Sequence, residues 1–77
     1  MEVTVIAFGQ IAELAGKPSW VMHEVHDTEQ LKFEIESTYP AIKNITYLMS
    51  VNKKIVRENT GIPANATVAL LPPFSGG

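Results

Sequence analysis

One segment of the sequence has a clear helical period, and short runs rich in β-branched residues lie on both sides of it. Leu31, Ile35 and Tyr39 recur at spacing i, i+4 and i+8, which predicts one apolar stripe along a helix. Pro40 ends this helix, because the residue before a proline is driven out of the helical conformation. One such helix flanked by strands predicts an α+β fold, with a mixed sheet packed on one main helix.

The flanking runs predict five short strands and a second, shorter helix. Either Asp27 or Thr28 is suited to cap the main helix, and Gly16 is suited to end a short helix over residues 10–14. Asn52 and Lys53, or the adjacent pair, supply a tight turn between the third and fourth strands. The predicted strands are residues 2–8, 19–25, 45–51, 55–56 and 67–71. If the first and last strands are neighbours at the centre of the sheet, they run parallel.

The first strand carries apolar side chains on both of its faces, and we expect both faces to be largely covered. Alternation places Val3, Val5 and Ala7 on one face and Thr4, Ile6 and Phe8 on the other. A helix covers only one side of a sheet. The second face therefore indicates an interface with another molecule.

The chain has 77 residues, of which 45% are hydrophobic and 18% charged, so it predicts a single domain over residues 1–77. It contains no cysteine, which excludes disulfides, thiol nucleophiles and thiolate-bound metals. A net charge of −2 argues against nucleic-acid binding. No apolar run approaches the ~20 residues of a membrane span, and the first residues lack the basic start of a signal peptide. We therefore expect a cytoplasmic protein that binds neither nucleic acid nor membrane.

The last six residues form a tail that does not suit a regular element. Two prolines stiffen its base and two glycines leave its tip adaptable; the tail is Pro72, Pro73, Phe74, Ser75, Gly76 and Gly77. Glycines without a Cβ allow the backbone to enter a narrow active site and present the Gly77 carboxylate there. The alternative is a frayed terminus or a cloning remnant, because chain ends are commonly disordered.

Four segments carry a resemblance to a known family: AFGQIAEL after the first strand, the YP helix stop, the VNKKIV hairpin and the terminal LLPPFSGG. Together they resemble the MoaD-like small subunit of molybdopterin synthase over the whole chain. The resemblance implies a β-grasp (ubiquitin-like) fold. It also implies that a MoeB-like activating enzyme uses ATP to adenylate Gly77, which then becomes a thiocarboxylate.

The same resemblance implies a partner and a role. The tail enters a MoaE-like large subunit, with which the chain forms a heterotetramer, and donates sulfur to a pterin precursor in molybdenum cofactor biosynthesis. The chain is then a non-catalytic subunit that binds no cofactor or metal itself. The resemblance also assigns Pro72 to Gly76 to tail insertion and Phe8, Ile55 and Leu71 to the partner interface.

Each of these assignments has an alternative. Phe8, Ile55 and Leu71 are also suited to an ordinary core. Ala12 stands where relatives usually carry arginine, which places a polar contact to the activating enzyme in doubt. The whole chain also suits a ThiS-like carrier for thiazole synthesis, a ubiquitin-like modifier that joins its terminal carboxylate to lysines, or a plain binding module.

Two further patterns carry less weight. On a strand, His23 and His26 would lie on opposite faces and would not share a metal ion. A basic stretch indicates either a solvated surface or charge steering toward a partner. It comprises Lys43, Lys53, Lys54 and Arg57.

Overall fold

The computed structural model describes residues 2–73 and contains five strands, two α-helices and one 3₁₀ helix. The main helix, α2, lies between the second and third strands, as the sequence predicts. In chain order the elements are β1 (Glu2–Ala7), α1 (Gln10–Ala15), β2 (Ser19–His23), α2 (Thr28–Thr38), the 3₁₀ helix (Pro40–Asn44), β3 (Leu48–Val51), β4 (Lys54–Val56) and β5 (Thr67–Leu71).

The strands form one mixed sheet in the order β2-β1-β5-β3-β4. β1 and β5 are neighbours and run parallel, whereas the other adjacent strands are antiparallel. The first and last strands are neighbours near the centre of the sheet, and in that arrangement they run parallel, as the sequence predicts for this case. The final strand is therefore held on both sides, which fixes the place where the chain leaves the sheet.

The core lies between the sheet and α2. Leu31 and Ile35 of α2 are almost completely buried together with Val5 of β1 and Val68 of β5. The predicted apolar stripe is confirmed at these two helix positions. Tyr39 is half-buried at the C-terminal cap of the helix, where its ring lies 5.4 Å from that of Trp20, measured between centroids.

Both helices begin or end where the sequence provides a suitable residue. The Asp27 side chain caps α2 by accepting a hydrogen bond of 2.8 Å from the backbone N–H of Gln30. Thr28, the other candidate, instead accepts a hydrogen bond from the backbone N–H of Thr60 at 2.9 Å. Gly16 ends α1 in the left-handed conformation, with φ of 79°.

Several predicted boundaries were wrong. β2 ends at His23 rather than at residue 25, because Glu24 adopts φ of 58° and breaks the extended chain. β3 begins at Leu48 rather than at residue 45. Residues 40–44, for which the sequence predicts no regular element, form a 3₁₀ helix that contributes the buried Ile42 to the core.

The expectation that both faces of the first strand are covered was also wrong. Val3, Val5 and Ala7 are buried, but Thr4 is exposed and Ile6 is only half-buried. The strand itself ends at Ala7. One face of the central strand therefore carries apolar area that the described part of the chain leaves partly uncovered.

Candidate functional site

The side of the sheet opposite α2, here called the outer face, carries one continuous row of side chains across all five strands. Residues paired between adjacent strands have their side chains on the same side of a sheet. The pairings link Ile6 to Ser19 and to Ala69, and Ser50 to Ala69 and to Ile55. Two small side chains, Ala69 and Ser50, are neighbours near the middle of the row and lie between Ile6 and Ile55.

Large apolar side chains surround this row. Phe8 is 46% exposed, Val21 49% and Ile55 38%. Leu71 is half-buried and pairs with Leu48 on the neighbouring strand. The three residues assigned to an interface, Phe8, Ile55 and Leu71, therefore all lie on the outer face. None of them belongs to the core.

The small side chains produce a shallow depression of about 380 Å³ in the outer face. Ser50 and Ala69 lie in it because they are two small side chains in adjacent positions of the row. Large side chains and a lysine border them. The full lining is Ile6, Phe8, Ser50, Asn52, Lys53, Thr67 and Ala69.

The turn between β3 and β4 closes one end of this depression. Asn52 and Lys53 both have positive φ, at 49° and 73°, which fits the predicted tight turn. The Asn52 side-chain Oδ1 accepts a hydrogen bond of 2.9 Å from the Thr67 N–H, and the Asn52 N–H donates to the Thr67 carbonyl at 2.8 Å. These bonds fix the turn to the start of β5 and so hold the backbone of Lys53 beside the depression.

The base of the tail lies at the opposite end. The Phe8 N–H donates to the Leu70 carbonyl at 3.1 Å, and the chain then leaves the sheet through the exposed Pro72 and Pro73. Gly9 adopts φ of 57° and ψ of −134°, a conformation that residues with a Cβ rarely adopt. A Cβ at Gly9 would lie 3.7 Å from Cγ of Pro72. Phe74, Ser75, Gly76 and Gly77 lie outside the described residues.

A second concave surface of about 390 Å³ lies on the helix side, between α2 and β3, and Glu29, Lys32 and Arg57 are among its lining residues. Tyr47 also lines it and donates a hydrogen bond of 2.7 Å to Oε2 of Glu36. Burial, together with this hydrogen bond, raises the pKa of Tyr47 well above its ordinary value. The lining of this second concave surface mixes cationic and anionic side chains, so its charge favours no single class of ligand.

Within residues 2–73 no group of three or more histidine, aspartate or glutamate side chains is arranged to hold a metal ion. His23 ends β2, whereas His26 follows the turn at Glu24 and lies outside the strand. Over the same range, no helix is long and apolar enough to cross a membrane. Ala12 is half-buried against the core, which favours a small apolar side chain there.

The model of the ThiS family matches residues 5–77, which is nearly the whole chain. The chain belongs to the ThiS family. This ThiS-family protein therefore falls among the ThiS/MoaD-type sulfur carriers and ubiquitin-like proteins, as the resemblance in the sequence predicts.

Solved structures agree with this fold. A protein described as molybdopterin converting factor subunit 1 from Pyrococcus furiosus is 20% identical with a TM-score of 0.87, covering 96% of this chain and 99% of its own. Small archaeal modifier protein 1 from Methanosarcina acetivorans is 22% identical with a TM-score of 0.85, covering 99% and 96%. One chain of a complex of subunits 1 and 2 of molybdopterin-converting factor from Helicobacter pylori is 22% identical with a TM-score of 0.75, covering 100% of this chain and 100% of its own. The predicted β-grasp fold is confirmed.

The sequence alone did not point to the depression. Ser50, Thr67 and Ala69 carry no motif, and they become neighbours only when the strands pair in the observed register. Lys53 appeared only as part of a basic stretch. Gly9 gave no signal beyond its position after an apolar run, because its unusual backbone conformation is not encoded by a recognisable pattern.

Proposed function

We propose that this ThiS-family protein is the sulfur-carrying small subunit of a molybdopterin synthase. Its Gly77 carboxylate is adenylated by a MoeB-like activating enzyme, converted to a thiocarboxylate, and delivered to a MoaE-like large subunit. There the thiocarboxylate donates its sulfur to a pterin precursor. The active site lies on the large subunit, so this chain supplies the reacting group and the surface that positions it.

The chemistry explains why activation must come first. A carboxylate resists nucleophilic attack because it is anionic and has no good leaving group. Attack of the Gly77 carboxylate on the α-phosphate of ATP releases pyrophosphate and gives an acyl adenylate. Hydrosulfide-level sulfur from the donor then attacks the terminal carbonyl, so that a C–S bond forms as the C–O bond to AMP breaks, and AMP leaves. The thiocarboxylate is anionic and nucleophilic, and no side chain of this protein takes part in its formation.

The observation that carries this proposal is the path of β5. This strand lies between β1 and β3, places Leu71 on the outer face, and continues directly into the exposed Pro72 and Pro73. A partner bound to the outer face therefore has the base of the tail beside it. Docking a rigid body in this way restricts where the tail can reach and raises the effective concentration of its reactive end.

Under this proposal the individual residues have distinct roles. Phe8, Ile55 and Leu71 contact the large subunit. Pro72, Pro73, Phe74, Ser75 and Gly76 pass into it, and Gly77 reacts. Support for a large-subunit partner comes from the Helicobacter pylori structure, in which the matching protein is one of two subunits in a complex. We propose a heterotetramer as the assembly.

Intact-mass measurement tests the proposal. After incubation with ATP, the activating enzyme and a sulfur donor, the mass should rise by about 16 Da, because sulfur replaces one oxygen. The charged protein, mixed with the large subunit, should then convert the pterin precursor. The matched control extends the chain by one residue after Gly77, which should abolish the mass shift without changing thermal stability. An unshifted mass for the unextended chain would refute the carrier function.

A ubiquitin-like modifier is the second candidate, favoured by the structural match to small archaeal modifier protein 1 from two organisms. In this case the activated Gly77 carboxyl group forms an isopeptide bond with lysine amines of target proteins. Conjugates of higher mass should then appear in cell extract and disappear when Gly77 is removed.

A ThiS-like carrier for thiazole synthesis would show the same gain of about 16 Da. It would, however, support turnover of a thiazole precursor and not of the pterin.

A further inference from the structure

We propose that the depression in the outer face receives one protruding apolar side chain of the large subunit, and that a carboxylate beside this side chain pairs with Lys53. The inference rests on the proposed function and adds to it the chemistry of the partner surface. It concerns the small residues at the bottom of the depression, here called its floor, rather than the exposed residues around them.

The floor is unusual for the centre of a sheet. Strands favour β-branched and aromatic side chains, yet two of the middle positions of the row are Ser50 and Ala69. Ile6 and Ile55 lie on either side of them. A flat partner surface resting on the large side chains would leave this floor unfilled and would lose the dispersion contacts of its lining. A protruding side chain fills it.

The lining favours an apolar side chain over a small polar ligand. The volume of about 380 Å³ is at the low end of ligand sites, which span about 300–1,000 Å³. Such sites orient their ligands with several convergent polar groups. Here the Oδ1 of Asn52 already accepts a hydrogen bond from the Thr67 N–H, and Lys53 is the one charged residue of the lining. The remaining surface is largely methyl groups and the ring of Phe8.

Lys53 specifies the charge of the partner. None of the seven lining residues is acidic, so this ammonium group has no carboxylate within the depression. The neighbouring Lys54 pairs with the buried Val51 and therefore lies on the other side of the sheet. Of these two lysines, Lys53 is the one that lines the depression. A carboxylate on the partner complements it and steers association.

The two features have a defined position relative to the tail. Along β5, Ala69 lies roughly 7 Å and Thr67 roughly 13 Å before Leu71, at about 3.3 Å per residue. On the large subunit, the apolar side chain and the carboxylate are therefore expected to lie in line with the site that accepts Pro72 and Pro73, with the apolar side chain nearer to that site. This line fixes the orientation of the carrier as well as its affinity.

Filling the depression tests the apolar contact. Ala69→Leu adds bulk to the outer face and should weaken binding to the large subunit of the same organism by roughly tenfold or more in calorimetry. Ala41→Leu makes the same chemical change at an exposed position in the 3₁₀ helix and should leave the affinity unchanged. Both variants should keep the thermal midpoint of the wild type or exceed it.

Charge reversal tests the second contact. Lys53→Glu should reduce affinity about fivefold at low salt and lose this effect at high salt. Lys54→Glu carries the same change in net charge on the opposite side of the sheet and should bind like the wild type. Equal losses for the two variants would show that only net charge matters and would overturn the assignment of a carboxylate.

The outcomes separate this inference from the proposed function. If the wild type is thiocarboxylated and binds the large subunit, but Ala69→Leu binds equally well, the depression is not used and the inference is overturned while the function stands. If the wild type neither gains sulfur nor binds, both are overturned. Sedimentation that shows a wild-type dimer dissociated by Ala69→Leu would assign the depression to a second copy and also overturn the inference.

Discussion

The two faces of the central strands differ in how completely the rest of the chain buries them. On the inner face, Val5 and Val68 are fully buried under α2. On the outer face, the adjacent Ile6 and Ala69 are only half-buried and border a depression. The chain thus uses alternate residues of one strand for its own folding and leaves the others available to another molecule. Substitutions at neighbouring positions of one strand should therefore affect different properties, folding stability on the inner face and partner binding on the outer face.

The largest effect is expected where two neighbouring leucines of β5 lie on opposite faces. Leu70 is fully buried and Leu71 half-buried. Leu70→Ala should reduce the free energy of unfolding by about 2–5 kcal/mol, because it removes methyl groups and leaves a cavity. Leu71→Ala should cost about 1 kcal/mol. Urea denaturation measures both, and equal losses would contradict the division between the faces.

A smaller effect is expected in the turn between β1 and α1, which lies beside Pro72 at the base of the tail. Gly9→Ala should destabilise the fold by about 1–3 kcal/mol, because φ of 57° with ψ of −134° is strained for alanine. Gly61→Ala is the matched control. Gly61 lies outside the left-handed region and a Cβ there meets nothing within 4 Å, so its stability should stay within about 1 kcal/mol of the wild type. Similar losses at both glycines would refute the role of backbone strain.

The polar contact between α2 and the segment before β3 should contribute less. Tyr47→Phe removes the hydrogen bond to Glu36 and should cost about 1 kcal/mol near neutral pH. Tyr39→Phe serves as a control, because the Tyr39 ring packs on Trp20 and keeps that contact without its hydroxyl. Chemical denaturation of the three proteins measures the difference.

The pH dependence of the same contact has a definite sign. The raised pKa of Tyr47 means that the folded state holds the hydroxyl proton more tightly than the unfolded state. This stabilisation is complete below the ordinary tyrosine pKa of about 10 and is lost as the pH rises above it. The stability gap between wild type and Tyr47→Phe should therefore narrow above about pH 10. A gap that widens there would contradict the assignment.

The smallest effect on folding is expected on the outer face. Ile55→Thr retains a β-branched side chain at a position that is 38% exposed, so the free energy of unfolding should change by no more than about 0.5 kcal/mol. Under the proposed function the same variant should bind the large subunit several-fold more weakly. A large loss of stability would instead place Ile55 in the core and remove the contrast between the faces.

Much of the fold was predictable from local signals. The spacing of Leu31 and Ile35, the cap at Asp27 and the stop at Gly16 each act within a few residues, and each is confirmed. The predicted boundaries were wrong where a neighbouring element decided the conformation. The 3₁₀ helix that begins at Pro40 is an example, because it buries Ile42 against side chains from distant parts of the chain.

The candidate site was predictable only in part. Ile6 and Phe8 were identified as apolar surplus because alternation is a property of a single strand. The depression beside them was missed, because Ser50 and Ala69 are ordinary small residues until β3 and β5 pair in register. Lys53 and Lys54 are adjacent in the sequence, and only the observed turn and strand register show that Lys53 is the one beside the depression.

The sequence by itself therefore determined the main helix with its buried stripe, the presence of five strands, and the tail of two prolines and two glycines. These depend on periodicity, caps and backbone preferences that operate over short distances. Only the tertiary structure decided which outward-facing residues become neighbours. It also decided that the last strand lies beside the first and leads directly into Pro72 and Pro73. Strand register and order depend on contacts between distant parts of the chain, and the pattern within any one strand does not contain them.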